Sequence, residues 1–176
     1  MKNQMMHSRE LLETEYHTRY SNYILALDET ELLEALKNTE AELLAFIVDI
    51  PEDRWMYRYA EGKWTVAEVL QHIIDTERIM AYRALRFARN DKTDIPGFEQ
   101  DDYVPYSGAN NRNRNEIMVD FKAARLNSVS LFHTFTNEML MRSGTVSGNK
   151  LSVRAIGFII SGHLKHHLRI LKERYI

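Results

Sequence analysis

"SVRAIGFIISGHLKHHLRILKE", residues 152–173, reads as one helix that carries histidines on its buried face. With His163 as origin and about 100° per residue, Ile156 falls at about +20°, His167 at about +40° and Ile160 at about +60°. Ile170 and Ile159 lie at about −20° and −40°, and Leu171 and Leu164 at about +80° and +100°. Arg154, Lys165, Arg169 and Lys172 occupy the opposite face, which reads as solvated. His166 falls at about −60°, on the edge of the apolar arc. The pattern is that of a core helix of a bundle. Two imidazoles in the middle of its apolar arc need partners from elsewhere.

Three more segments have helical period. "DETELLEALKNTEAELLAFI" predicts a helix from about Asp28 to Val48, with Asp28 or Thr30 as N-cap and Pro51 as its end. A second helix is expected from Thr65 to Asn90, where Thr65 and Glu68 form a capping box. A third spans Asn111 to Met141. The fourth, from Ser152 to Glu173, follows a Gly- and Ser-bearing turn, "SGTVSGN". Trp55, Tyr57 and Tyr59 read as aromatics folding back on the bundle. Residues 1–27 read as an extension packed on it. The twenty-residue stretch 91–110, "DKTDIPGFEQDDYVPYSGAN", is a long irregular loop of the kind that often carries function. The expected architecture is a single all-α domain over residues 1–176. It is an antiparallel four-helix bundle with an N-terminal extension and a long loop between helices 2 and 3.

Composition narrows the function. The net charge is −2 with arginines dispersed, so there is no electrostatic footprint for nucleic acid. There is no cysteine, which excludes thiolate zinc sites and disulfides. No run approaches the ~18 apolar residues of a membrane span, and the N-terminus lacks an apolar signal core. The expectation is a cytoplasmic protein with no membrane segment.

On the second helix His72 borders the arc of Val69, Ile73, Met80 and Phe87 and can point into the bundle. His163 and His167, four apart, stack on one helix face. With His72 they form a set of three neutral imidazoles that suits Zn²⁺, Ni²⁺ or Fe²⁺ and leaves positions open for water, which such an ion acidifies. His166 reads as a rim residue, although a His163/His166 register is also open. Glu77 falls inside the apolar arc of helix 2. Such a carboxylate is either ion-paired with an arginine or an acid–base group. Asp75 and Glu77 are also candidates for orienting a ligand histidine or moving a proton. In "FEQDDY", Glu99, Asp101 and Asp102 are either solvated or lie over a pocket mouth.

Two stretches carry a family resemblance: "GKWTVAEVLQHIIDTERIMAYRALRFARND" (62–91) and "SGHLKHHLRILKERY" (161–175). A Lys-Trp-Thr helix start, a histidine about two turns in, and a C-terminal Gly-His-x-x-x-His together resemble the DinB-like superfamily, which includes YfiT-type proteins. The resemblance implies an up-down-down-up four-helix bundle and a divalent metal, zinc or nickel, on His72, His163 and His167. It implies a small-molecule substrate and chemistry of the metal-dependent hydrolase or thiol-dependent transferase kind. It also implies a low-molecular-weight thiol such as bacillithiol or mycothiol as a cofactor, and a homodimer. Glu77 is then a catalytic candidate, and Tyr103, Asp101 and His166 are substrate-contact candidates. The reading from another class is a non-catalytic small-molecule-binding or stress-related bundle whose histidines are structural.

Overall fold

The computed structural model describes residues 6–176. Four long helices carry the fold: α2 (Leu32–Asp49), α3 (Val66–Ala88), α5 (Arg114–His133) and α7 (Val153–Arg174). Short helices α1 (Ser21–Leu25), α4 (Gln100–Tyr103) and α6 (Asn137–Met141) lie between them or before them. Strands β1 (Ser143–Val146) and β2 (Asn149–Ser152) pair as a hairpin just before α7.

α2 packs on α5 and α7, and α3 packs on the same two helices. The consecutive pair α2 and α3 therefore faces across a diagonal of the bundle. Two apolar clusters fix the directions. One joins the start of α2 (Leu32, Leu36), the end of α3 (Ala84, Phe87), the end of α5 (Phe132) and the start of α7 (Val153, Ile156). The other joins Leu43 and Ile47 of α2, Val66 and Leu70 of α3, Ile117 and Phe121 of α5, and Leu168 and Leu171 of α7. Hence α2 and α7 run one way and α3 and α5 the other, an up-down-down-up order. Each fully buried Leu, Ile or Phe in these clusters contributes about 1.5–3 kcal/mol.

A polar layer separates the two clusters. α3 buries Thr76 and Glu77 between Ile74 and Met80, and α7 buries Ser161 and His163 between Ile160 and Leu164. α2 supplies Thr39, and α5 supplies Arg125 and Ser128.

Helix ends follow local chemistry. The Thr65 hydroxyl accepts from Glu68 N–H at 3.0 Å, and the Glu68 carboxylate accepts from Thr65 N–H at 2.7 Å. Beyond the last turn of α3, Asn90 takes a left-handed conformation with φ 62°. Asn113 and Glu116 form a second capping box at α5. The N-cap of α2 is Glu31, not Asp28 or Thr30; Asp28 sits at φ 51°, in a turn that precedes the helix.

Three further expectations change. The third helix breaks after His133, because Thr136 caps a new helix by accepting from Met139 N–H at 3.2 Å. The 143–149 segment is the first half of a hairpin. Its tip, Ser147–Gly148, has φ 49° and 74°, the sign a tight hairpin turn demands at both central positions. Arg154 is buried rather than solvated. The N-terminal segment covers that face of α7, and Glu15 accepts from Arg154 Nε at 2.9 Å and from Ser152 Oγ at 2.7 Å.

Of the extension expected over residues 1–27, residues 1–5 lie outside the described residues. α1 lies against α7, and a Cβ at Gly162 would stand 2.0 Å from the Tyr23 carbonyl oxygen. Loop 91–110 is tied to the hairpin: Ile95 N–H donates to Thr145 O and Ser147 N–H to Ile95 O, both at 3.0 Å. Trp55 is buried, and Tyr57 and Tyr59 pack beside the Tyr175 ring. Among the described residues no helix is long and apolar enough to cross a membrane.

Candidate metal centre

The capping box at Thr65 fixes where α3 begins, and His72 follows two turns in. α7 runs antiparallel beside α3 and brings His163 and His167 to the same level. His72 Nε2 lies 3.0 Å from His163 Nε2, and His167 Nε2 lies 3.0 Å from the same atom. One ligand nitrogen from each residue falls within 4.8 Å of the other two. Thr76 Oγ1 stands 3.5 Å from His72 Nδ1, on the side away from the cluster.

This arrangement tests whether the residues fit a cation. A neutral imidazole carries one proton and one lone pair on its ring nitrogens. His163 Nε2 faces two other Nε2 atoms, so one proton or one lone pair there satisfies only one of the two contacts. With Nε2 lone pairs turned inward on all three residues, a cation satisfies every one. Metal–nitrogen bonds of about 2.1 Å at tetrahedral or octahedral angles put ligand nitrogens about 3.0–3.4 Å apart, which the two short contacts match. The residues fit.

Burial keeps these rings neutral. It lowers His72 to about 4. It pushes His167 down to about 3, with His72 and His166 adding to the effect. His163 falls well below the usual imidazole range through burial and its histidine neighbours. Neutral imidazole is the ligand form.

Aromatic rings wall the centre. The Trp64 ring lies 4.9 Å from that of His72, and the Tyr23 ring meets His163 edge-on at 5.5 Å. Two cavities reach the histidines. One, of about 660 Å³, is lined by His167, Trp64, Glu68 and Tyr175. The other, of about 490 Å³, is lined by His163, Thr76, Tyr23 and Arg83. Asp101 lines both.

The other candidates fall in different places. His166 is half-buried, with its ring 5.1 Å from His167 and 5.2 Å from Tyr23, and it lies outside the group of three. His167, not His166, therefore stands beside His163 Nε2. Glu77 lies in the core, where both its oxygens accept from Arg125 at 2.9 Å. Asp75 accepts from Gln71 Nε2 at 2.9 Å, and burial raises its pKa. Tyr103 lines a third cavity with Asp75, Arg78 and Tyr106, and lines neither cavity that reaches the histidines. Sequence reasoning passed over Tyr23, Trp64 and Arg83 as site residues. Arg83 sits on the His72 face of α3, a signal that was available. Tyr23 comes from the extension, where no periodicity points to it.

The sequence model of the DinB superfamily matches residues 35–171. The chain belongs to this superfamily. No curated protein sequence matches it. Among solved structures it is similar to YfiT from Bacillus subtilis, a probable metal-dependent hydrolase with an unusual four-helix bundle topology. That match has 13% identity and a TM-score of 0.71, over 93% of this chain and 90% of that one. It is similar to a mycothiol-dependent maleylpyruvate isomerase at 9% identity and TM-score 0.63, covering 78% of this chain and 58% of the isomerase. It is also similar to the DinB-like protein YjoA from Bacillus subtilis at 17% identity and TM-score 0.59, covering 80% and 86%. At these identities the likeness is one of fold.

Proposed function

We propose that this protein is a metal-dependent enzyme acting on a small molecule, with one divalent cation, zinc or nickel, on His72, His163 and His167. The observation that carries this reading is the convergence of three neutral Nε2 atoms on one point, which hydrogen bonding among them cannot satisfy. A cation there supplies Lewis acidity toward a water or a substrate thiol. The chain's own residues do the rest. With a cation on Nε2, His72 would carry its proton on Nδ1, where Thr76 Oγ1 at 3.5 Å is placed to accept it. Trp64 and Tyr23 shield the centre from bulk water. Asp101, common to both cavities, is the carboxylate positioned to contact substrate or take up a proton at Oδ. Glu77 is assigned to the core, since Arg125 occupies both its oxygens.

Hydrolysis and thiol-dependent transfer both suit this centre. A low-molecular-weight thiol is proposed as co-substrate by likeness to the mycothiol-dependent isomerase. Homodimerisation is part of the same reading.

Metal content by mass spectrometry on protein purified without chelator tests the proposal. About one zinc or nickel per chain is expected in the native protein, and none in His163→Ala or the bulkier His163→Gln. Light scattering on the same sample reads the dimer, and a mass of 20.7 kDa would remove it. No metal after reconstitution with Zn²⁺, Ni²⁺ and Mn²⁺ would leave the histidines structural and return the protein to the non-catalytic reading.

A further inference from the structure

Three arginines of the described chain are buried: Arg83, Arg125 and Arg154. Arg125 is paired with Glu77 and Arg154 with Glu15. Arg83 is only 3% exposed, yet no carboxylate pairs with it among the described residues. Its contacts are neutral: Nη2 donates to Pro96 O at 3.2 Å, Nη1 to Met80 Sδ at 3.8 Å, and the guanidinium lies 5.6 Å from the Phe98 ring centre. Its buried Nε–H has no hydrogen-bond partner. A buried charge in this condition is costly, and native proteins pair it. The missing partner is an anion.

Position says which anion. Arg83 and His163 line the same cavity of about 490 Å³. Arg83 follows His72 by eleven residues on α3, which returns it to within about 20° of the same face and about 16 Å further along the axis. Tyr20 and Tyr23 supply aromatic walls, and Arg19 adds a second positive charge at the exposed rim. The exposed carboxylates Glu99 and Asp101 line the same cavity, and neither forms an ion pair with Arg83.

We propose that Arg83 binds an anionic oxygen group, a carboxylate or a phosphate, on the substrate of the histidine centre. The proposal rests on the metal-dependent reading above and names the substrate class for that site. The substrate carries its anion at one end of the cavity and presents its reacting group to the histidines at the other. Arg83 uses Nε–H with the remaining Nη2 hydrogen as a fork for two oxygens. It is a binding residue with no part in bond making.

The test uses ¹⁵N-labelled, zinc-loaded full-length protein. The side-chain Nε–H resonance of Arg83, assigned by its absence in Arg83→Lys or by through-bond correlation, is followed during titration with benzoate and with phenyl phosphate. A saturable shift is expected with at least one of them. Arg83→Gln lacks that resonance, so its affinity is compared with the native protein's by calorimetric titration of the same probes. It is expected to bind tenfold or more weakly while zinc stays at one per chain. A shift with benzoate alone assigns a carboxylate, with phenyl phosphate alone a phosphate ester, and with both an oxyanion seat that accepts either. Absence of a saturable shift with both probes overturns the proposal. So does equal affinity in Arg83→Gln, which would place the anion on the ion itself. Should the variants fail to fold, the native titration decides. Zinc content is read separately, so loss of the metal reading is distinguishable from loss of the anion seat.

Discussion

Glu77 and Arg125 illustrate how a single residue is read. Helical phase alone put Glu77 in the apolar arc and left open an ion pair or an acid–base role. The side chains are 2% and 0% exposed, with two contacts of 2.9 Å. Arg125 also donates to Thr39 Oγ1 at 2.8 Å and to the Leu36 carbonyl, so it ties α2, α3 and α5 together. Removing one partner strands the other charge in the core. Glu77→Gln should cost about 3–5 kcal/mol, the range for breaking a buried pair. Denaturant unfolding measures this, and zinc content should remain at one per chain. A loss below about 1 kcal/mol, the worth of an exposed pair, would mean that the interior there is wet. The histidines were legible at this scale because ligand spacing and helix phase are both local. The partner of Arg125 was not. Phe121, Ser128 and Phe132, at i−4, i+3 and i+7, put Arg125 on the buried face of α5, but Glu77 lies 48 positions away and no local spacing links the two.

At the level of elements, α3 and α7 were readable because caps and periodicity agree. The β1–β2 hairpin was not, since four-residue strands are too short to show alternation and the turn depends on positive φ at Ser147. The face of α7 bearing Arg154 was misread because one helix does not reveal what covers it. The cover is the N-terminal segment, held by Glu15. Burial pushes the Glu15 carboxyl up. Hydrogen bonds from Arg154, the Leu12 backbone and Ser152, with the Arg154 charge, outweigh this and hold it below its usual 4.5. A carboxyl with a depressed native pKa stabilises fully above its unfolded value, and the stabilisation is lost as pH falls through the native value. The clamp should therefore be intact at neutral pH and release in acid, below about 4.5. Hydrogen exchange of amides in residues 6–27 checks this. Exchange should rise on acidification beyond its intrinsic pH dependence. In Glu15→Gln it should already be faster at pH 7, by on the order of tenfold for each ~1.4 kcal/mol lost, with the acid-induced release abolished. Equal protection in the variant and the native chain would show that packing of α1 on α7, not the ion pair, holds the segment.

For the whole molecule, what matters is that the polar layer lies between two apolar clusters, each drawing on all four long helices. Small zinc modules lack such a core and unfold without their ion. Here the clusters bury Leu, Ile and Phe side chains independently of the histidines, so the fold should survive without metal. An ion that binds only the native state still adds RT ln(1 + [L]/Kd), about 2.7 kcal/mol at one hundred times Kd. In a chain of this size that corresponds to about 5–10 °C in Tm. Chelator-treated protein should keep its helical circular dichroism and melt cooperatively. Zinc should then raise Tm by that amount in the native chain and leave His163→Ala unmoved. Loss of helicity on chelation would mean that the two clusters do not carry the bundle unaided. Retained helicity with no zinc-dependent shift would mean that the ion does not distinguish the folded chain from the unfolded one. The convergence of His72, His163 and His167 would then be a packing arrangement alone.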